Sequence, residues 1–213
     1  FGSSAAVTVA TLKALAALYK KSVDTHELFT AGLAVVKNVQ KTGSGFDVAA
    51  AVYGGTLYFS GNAKIIEPLS LSALPLIVGY TGVKGNTVAL VTEVAKKRES
   101  FPERADRIMK AIGQYVEQGK TAMGEGDWER VGEIMNFTHE YLRDLGVSTE
   151  KIEALISAAN QAGAWGAKLS GAGGGDCMIA LAPPEKREAV KKAIESAGGE
   201  VVDVVANEPG VAA

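Results

Sequence analysis

The sequence predicts an α+β fold in two parts. Three observations predict it: long helical patterns fill the middle of the chain, short β-type runs flank them, and the glycines gather in loops instead of spreading evenly. A boundary is expected near residues 68–73, where an early meander ends.

Residues 5–20 read as a buried helix, apolar on nearly all faces, preceded by the glycine–serine turn of FGSSAAV. Asp24 stands as N-cap for a second helix over 25–39. KTGSGFD (41–47) is a glycine-rich turn, and DVAAAVYGG (47–55) a short helix closed by Gly54 and Gly55. TLYFSG and AKIIEPL read as strands of a meander ending near Pro68, and LPLIVGYTG (74–82) as a further strand. Helices follow over 86–97, 102–124, 127–144 and 149–162. Their punctuation is Pro102 at a start, Gly126-Asp127 at a break, Gly146 at an end, and Ser148 or Thr149 as a cap. AKLSGAGGGDCMIAL (167–181) reads as strand, glycine loop, strand. PPEKREAVKKAIESAGG (183–199) reads as a helix and VVDVV (201–205) as a last strand.

Composition narrows the function. With 213 residues, 47% hydrophobic and 22% charged, the chain is an ordinary globular one. A net charge of −2 offers no basic surface for nucleic acid. No run is apolar enough for a bilayer, because Thr8, Thr11 and Lys13 interrupt the first stretch. The one cysteine, Cys177, excludes an internal disulfide framework, points to a cytoplasmic location, and is expected to pack in a strand and not to act as a nucleophile.

Three glycine-rich loops carry the chemistry. GSSAA (2–6) feeds a helix, so its N–H groups and the positive end of the helix dipole suit an anion, and the Ser3 and Ser4 hydroxyls suit phosphate or Mg²⁺. Taken alone, the loop is better read as a helix N-cap and nothing more. In KTGSGFD, Gly43 and Gly45 admit a ligand to the backbone, Lys41 offers a cation, and Asp47 offers a general base or metal ligand, or simply caps the next helix. SGAGGGD (170–176) holds more glycine than a hairpin turn needs and can wrap an oxygen-rich group with N–H donors. Gly119-Lys120-Thr121 lacks the spacing of a P-loop and reads as surface. His26 and His139 lack ligand spacing and also read as helix surface.

In their order and spacing these loops resemble those of the GHMP kinases, the small-molecule kinases that include galactokinase, homoserine kinase, mevalonate kinase and phosphomevalonate kinase. GSSAA is similar to the family's phosphate loop, with Phe1 where Leu is usual, and KLSGAGGGDC (168–177) to its third motif. The resemblance implies an α+β, two-domain kinase. Residues 1–70 would be the C-terminal part of an S5-like, ATP-binding N-terminal domain, and 71–213 a ferredoxin-like C-terminal domain. It also implies a first motif and several strands ahead of Gly2, so the chain reads as the C-terminal portion of a longer enzyme. ATP and Mg²⁺ are the implied cofactors, with Gly2, Ser3, Ser4 and Ala5 on the ATP phosphates and Ser4 on Mg²⁺. Asp47 and Lys41 are the implied catalytic residues; Ser44, Gly45, Ser170, Gly171, Ala172, Gly173 and Gly174 would bind substrate, the backbone of 171–174 donating N–H groups. Neither nucleic acid nor membrane is implied as a partner; a homodimer is left open.

KTGSGFDVAAAVYGG (41–55) and Asp176 look like the phosphomevalonate branch, and Lys41 suits a substrate already phosphorylated. Mevalonate kinases carry a Mg²⁺-binding Glu where this chain has Val36, and no acidic residue lies between Glu27 and Asp47. GAWGAKLSGAGGGDC looks instead like archaeal-type mevalonate kinases. Phosphomevalonate is therefore the first acceptor expected and mevalonate the alternative. A decarboxylase relative is disfavoured by Gly2, and an inactive ligand-binding homologue is a further alternative.

Overall fold

The structure, a computed structural model, describes residues 2–40, 43–71 and 73–211. The chain divides into two compact units, Phe1–Leu74 with Val205–Ala213, and Pro75–Val204. Among the described residues no helix is long and apolar enough to cross a membrane.

Among its described residues the first unit holds three α-helices and a hairpin: α1 (Ser3–Leu18), α2 (Thr25–Gln40), α3 (Phe46–Tyr53), β1 (Thr56–Phe59) and β2 (Ile66–Leu69). Asp24 caps α2 as expected. Its carboxylate accepts the Glu27 N–H at 2.8 Å while the Glu27 carboxylate accepts the Asp24 N–H at 3.0 Å, a reciprocal capping box. β1 and β2 pair antiparallel from Thr56↔Leu69 to Phe59↔Ile66. Val9, Leu28, Phe29, Val36, Val48 and Val52 form the core. The expectation of an α1 buried on nearly all faces is corrected. Ala5 and Val9 are its buried residues, whereas Val7 and Leu18 are 67% and 72% exposed. The reason is packing: among the described elements, α2 and α3 lie against α1 and cover one side of it. The C-terminal segment returns to this unit, with Gly54 bridged to Pro209 and the Val211 N–H donating to the Ala51 carbonyl at 3.0 Å.

The second unit contains β3 (Leu76–Tyr80), α4 (Thr87–Ser100), α5 (Pro102–Glu125), α6 (Trp128–Leu145), α7 (Glu150–Gln161), β4 (Gly166–Ser170), β5 (Cys177–Leu181), α8 (Arg187–Ser196) and β6 (Glu200–Val202). The sheet order is β4-β5-β3-β6, antiparallel throughout. Strand, helices, strand, strand, helix, strand in that order is the ferredoxin-like arrangement expected from the sequence. Left-handed Gly126 and Gly146 end α5 and α6, Asp127 caps α6, and Thr149 caps α7. Ile77, Ile152, Leu155, Leu169, Met178, Val190 and Ile194 fill the core between the sheet and α7 and α8.

Candidate active site

In the first unit, two loop-to-helix junctions lie side by side. Gly2 caps α1 in the left-handed region, φ +51°, and no side chain caps that helix. Gly45 caps α3 at φ +91°, again with no side-chain cap. The first-turn backbone N–H groups, that of Val48 in α3 excepted, thus have no intrahelical backbone acceptor and lie at a positive dipole end. Ser3 and Ser4 are exposed, Ala5 is buried, and Ser44 is exposed. The positive φ favours glycine at position 45, and a Cβ there would also come within 2.7 Å of the Leu33 side-chain end on α2, which would have to shift.

Asp47 ties the two junctions together. It occupies the first turn of α3, half-buried, and its Oδ1 accepts the Val48 N–H at 3.0 Å. A Cβ placed on Gly2 would lie 3.4 Å from the Asp47 Cβ. The carboxylate therefore sits beside the start of α1, and the Gly2–Ala5 loop and Asp47 named from sequence are one neighbourhood. The capping role weighed for Asp47 is present in part, through its bond to Val48. Lys41 lies outside the described residues. Val36 is 4% exposed within the core, so that position offers no metal ligand. Among the described residues no group of three His, Cys, Asp or Glu side chains could hold a metal. The Ser4 hydroxyl and Asp47 carboxylate are hard oxygen donors. They suit Mg²⁺, which keeps waters and substrate phosphates as its remaining ligands.

In the second unit, SGAGGGD joins β4 to β5, with Ser170 half-buried opposite Cys177. Gly171 is exposed and open on its Cβ side, and Ala172 is half-buried. The rest of the loop lies flat on its own unit. The Gly174 N–H donates to the Val147 carbonyl and the Asp176 N–H to the Val83 carbonyl, both at 2.7 Å. A Cβ on Gly173 would stand 2.1 Å from the Val147 oxygen, and one on Gly174 2.6 Å from Leu90. Close approach to protein surrounds these two glycines, and the Gly174 N–H has the Val147 carbonyl as its partner. Cys177 is buried, and burial pushes its thiol pKa up, which suits packing and not nucleophilic chemistry.

Sequence reasoning missed the support behind this loop. His139, read as surface, is 4% exposed. Gly119, also read as surface, is buried within α5. The signal for His139 was present in the helical stripe of α6, where it follows Ile134, Met135 and Thr138 on the buried face. Burial lowers the His139 pKa from the usual 6.5 in spite of its contact with Glu153. Burial likewise brings Lys168, whose Nζ donates to the Leu169 carbonyl at 2.7 Å, down to about 8.

Comparison with known proteins bears on the whole chain. The GHMP kinase N-terminal domain model matches residues 1–55 and the GHMP kinase C-terminal model residues 120–200, together well over half of the sequence. Mevalonate kinase of Pyrococcus horikoshii is 44% identical over 203 residues, which are 93% of this chain and 60% of that protein. The crystal structure of L. major mevalonate kinase in complex with R-mevalonate superposes with TM-score 0.81 at 31% identity, over 92% of this chain and 61% of that one. Streptococcus pneumoniae phosphomevalonate kinase, in complex with phosphomevalonate and AMPPNP, shares the fold at TM-score 0.80 and 22% identity, over 92% and 65% of the two chains. This chain thus spans about 60% of the length of the curated relatives it matches. With the N-terminal and C-terminal domain models matched in order along the chain, the chain belongs to the GHMP kinase family.

Proposed function

We propose that the protein is an ATP-dependent mevalonate kinase, transferring the γ-phosphoryl group of ATP to the 5-hydroxyl of mevalonate. The observation that carries this reading is the 44% identity to a mevalonate kinase across 93% of the chain. The likeness to phosphomevalonate kinase, at 22% identity, supports the fold alone. Phosphomevalonate, first in expectation from residues 41–55, thereby becomes the second reading; its distinguishing cation, Lys41, lies outside the described residues.

The residues suit the chemistry. In phosphoryl transfer, positioning and charge stabilisation do most of the catalysis. The first-turn N–H groups of Ser3, Ser4 and Ala5 would hold ATP phosphate oxygens at the positive end of α1. Bound Mg²⁺ would supply charge neutralisation, with Ser4 and Asp47 as the protein groups closest in kind to its ligands. Asp47 would orient the mevalonate hydroxyl and accept its proton as the oxygen bonds to the γ-phosphorus and ADP leaves. Such a base matters for an alcohol, whose proton is held far more tightly than that of a phosphomonoester with pKa₂ of about 6. Ser44 and Gly45 beside Asp47 would contact the acceptor, and so would Ser170, Gly171 and Ala172 on the open part of the third loop. Gly173 and Gly174 would serve by seating that loop.

The test is ADP release by the full-length protein with each acceptor. Turnover with mevalonate and none with phosphomevalonate supports the reading. The reverse restores phosphomevalonate, and silence with both favours an inactive homologue.

A further inference from the structure

α6 presents a row of three residues to the edge strand β4. Gly132 comes first, and a Cβ on it would lie 2.4 Å from the Trp165 backbone carbon. Gly166 answers it, with a Cβ there 1.9 Å from the Gly132 carbonyl oxygen. This glycine–glycine contact lets the helix lie on the strand. One turn on, Asn136 Oδ1 accepts the Ala167 N–H at 3.0 Å. Almost one turn further, His139 Nδ1 accepts the Leu169 N–H at 3.4 Å. Among the described residues β4 has β5 as its one strand neighbour in the sheet, so alternate N–H groups of β4 point away from β5 and need another acceptor. Two side chains of α6 supply it.

The same histidine reaches the far side of the glycine loop. His139 Nε2 lies 2.9 Å from Glu153 Oε1, and the Ser148 hydroxyl donates to that same oxygen. Ser148 adjoins Val147, whose carbonyl receives the Gly174 N–H. The loop is thus held ahead of its start, at Leu169, and in its middle, at Gly174, and both holds meet at Glu153. Because Nδ1 accepts and Nε2 donates, the imidazole is neutral.

We propose that His139 and Asn136 are positioning residues for the 171–176 loop, holding β4 and through it the acceptor-binding face of that loop, and that the neutral imidazole of His139 is required for the hold. This rests on the mevalonate kinase reading. A proton on Nδ1 would set two donors, itself and the Leu169 N–H, against each other. The groups facing His139 are Glu153 from α7, which favours the proton, and Arg143 of α6 and Lys168 of β4, which oppose it together with burial.

The experiment uses the full-length enzyme as wild type, His139→Gln and His139→Leu. Gln keeps an acceptor without titrating in this range; Leu removes it. Amide hydrogen exchange of Leu169 and Gly174, normalised to β3 amides, is read beside steady-state kinetics over a pH series from about 7.5 down to the onset of acid unfolding. Loss of one such bond should lower protection roughly tenfold in His139→Leu. The KM for mevalonate should rise by a similar factor in His139→Leu throughout, and in wild type only as pH falls through the folded His139 pKa, below 6.5, while His139→Gln stays flat and kcat changes little. Unchanged protection in His139→Leu overturns the hold, whatever substrate the enzyme takes. Lost protection with unchanged mevalonate KM overturns its part in binding, as does a His139→Gln profile matching wild type. Inactivity of the wild type on mevalonate defeats the function reading instead, and the exchange data then decide the hold alone.

Discussion

Asp47 stands where two helix starts adjoin, and its substitution separates chemistry from folding. An asparagine at this position would keep an oxygen for the Val48 N–H, so Asp47→Asn should fold normally. Without a base, turnover with mevalonate should fall by about 10²–10⁴-fold, read as kcat at saturating ATP. A loss below tenfold would remove Asp47 from proton transfer. Gly173 makes a contrasting case. Substitution by Ala sets a Cβ 2.1 Å from the Val147 oxygen at a residue with φ +86°. Gly173→Ala should therefore cost stability, on the order of 2 kcal/mol in urea unfolding, apart from any ligand. Lys168 supplies a pH signature. Its ammonium titrates at about 8 in the fold against 10.5 when free. The unfolded chain then binds more protons between those values, so stability should climb as pH rises from about 8 to 10.5 and stay level below. Lys168→Met should abolish the climb, as unfolding midpoints across that range would show.

The helix α6 and strand β4 work as a single element pair. Gly132→Ala would drive a Cβ into the Trp165 backbone, push the helix off the strand, and take Asn136 and His139 out of reach of β4 together. The expected result is a loss of about 2–4 kcal/mol, larger than the effect of either polar residue alone. The same pair sets acid sensitivity. The folded His139 pKa lies below 6.5, so its contribution is complete above about pH 6.5 and is lost as pH falls through the folded value. Burial raises the Glu153 pKa, but the Ser148 hydrogen bond and His139 leave it below 4.5 on balance, so its own loss comes at lower pH. His139→Gln should remove the upper step of an acid unfolding curve and leave the lower one. Periodicity shows the stripe of α6 in the sequence, but the pairing of its polar members with N–H groups 31 and 30 residues away is a tertiary fact that no local pattern carries.

At the scale of the molecule, element types and the order of the loops were legible because capping and glycine chemistry are local. Asp24, Asp127 and Gly146 mark helix ends in both readings. The one-sided exposure of α1 and the anchoring of the third loop on Val83 and Val147 were not, since both depend on what chain lies opposite. The C-terminal segment, which follows the last strand, shows the same limit most plainly. Its residues sit in the first unit: the Gly55 N–H donates to the Glu208 carbonyl at 2.8 Å, and Thr56 donates to Asn207 at 2.7 Å. Gly54 is in turn fitted to this segment, since a Cβ there would lie 2.0 Å from the Gly210 nitrogen at φ +68°. The segment closes the end of α3 and flanks the start of β1, on the helix whose first turn carries Asp47. Ending the chain at Val204 should therefore strip these bonds from the first unit while the β4-β5-β3-β6 sheet keeps its core. Hydrogen exchange on the truncated protein should show amides of α3 and β1 exposed and those of β3 and β5 still protected. Gly54→Val should produce the same pattern in the intact chain. Equal loss of protection in both units would show that the tail supports the whole molecule and not the first unit alone.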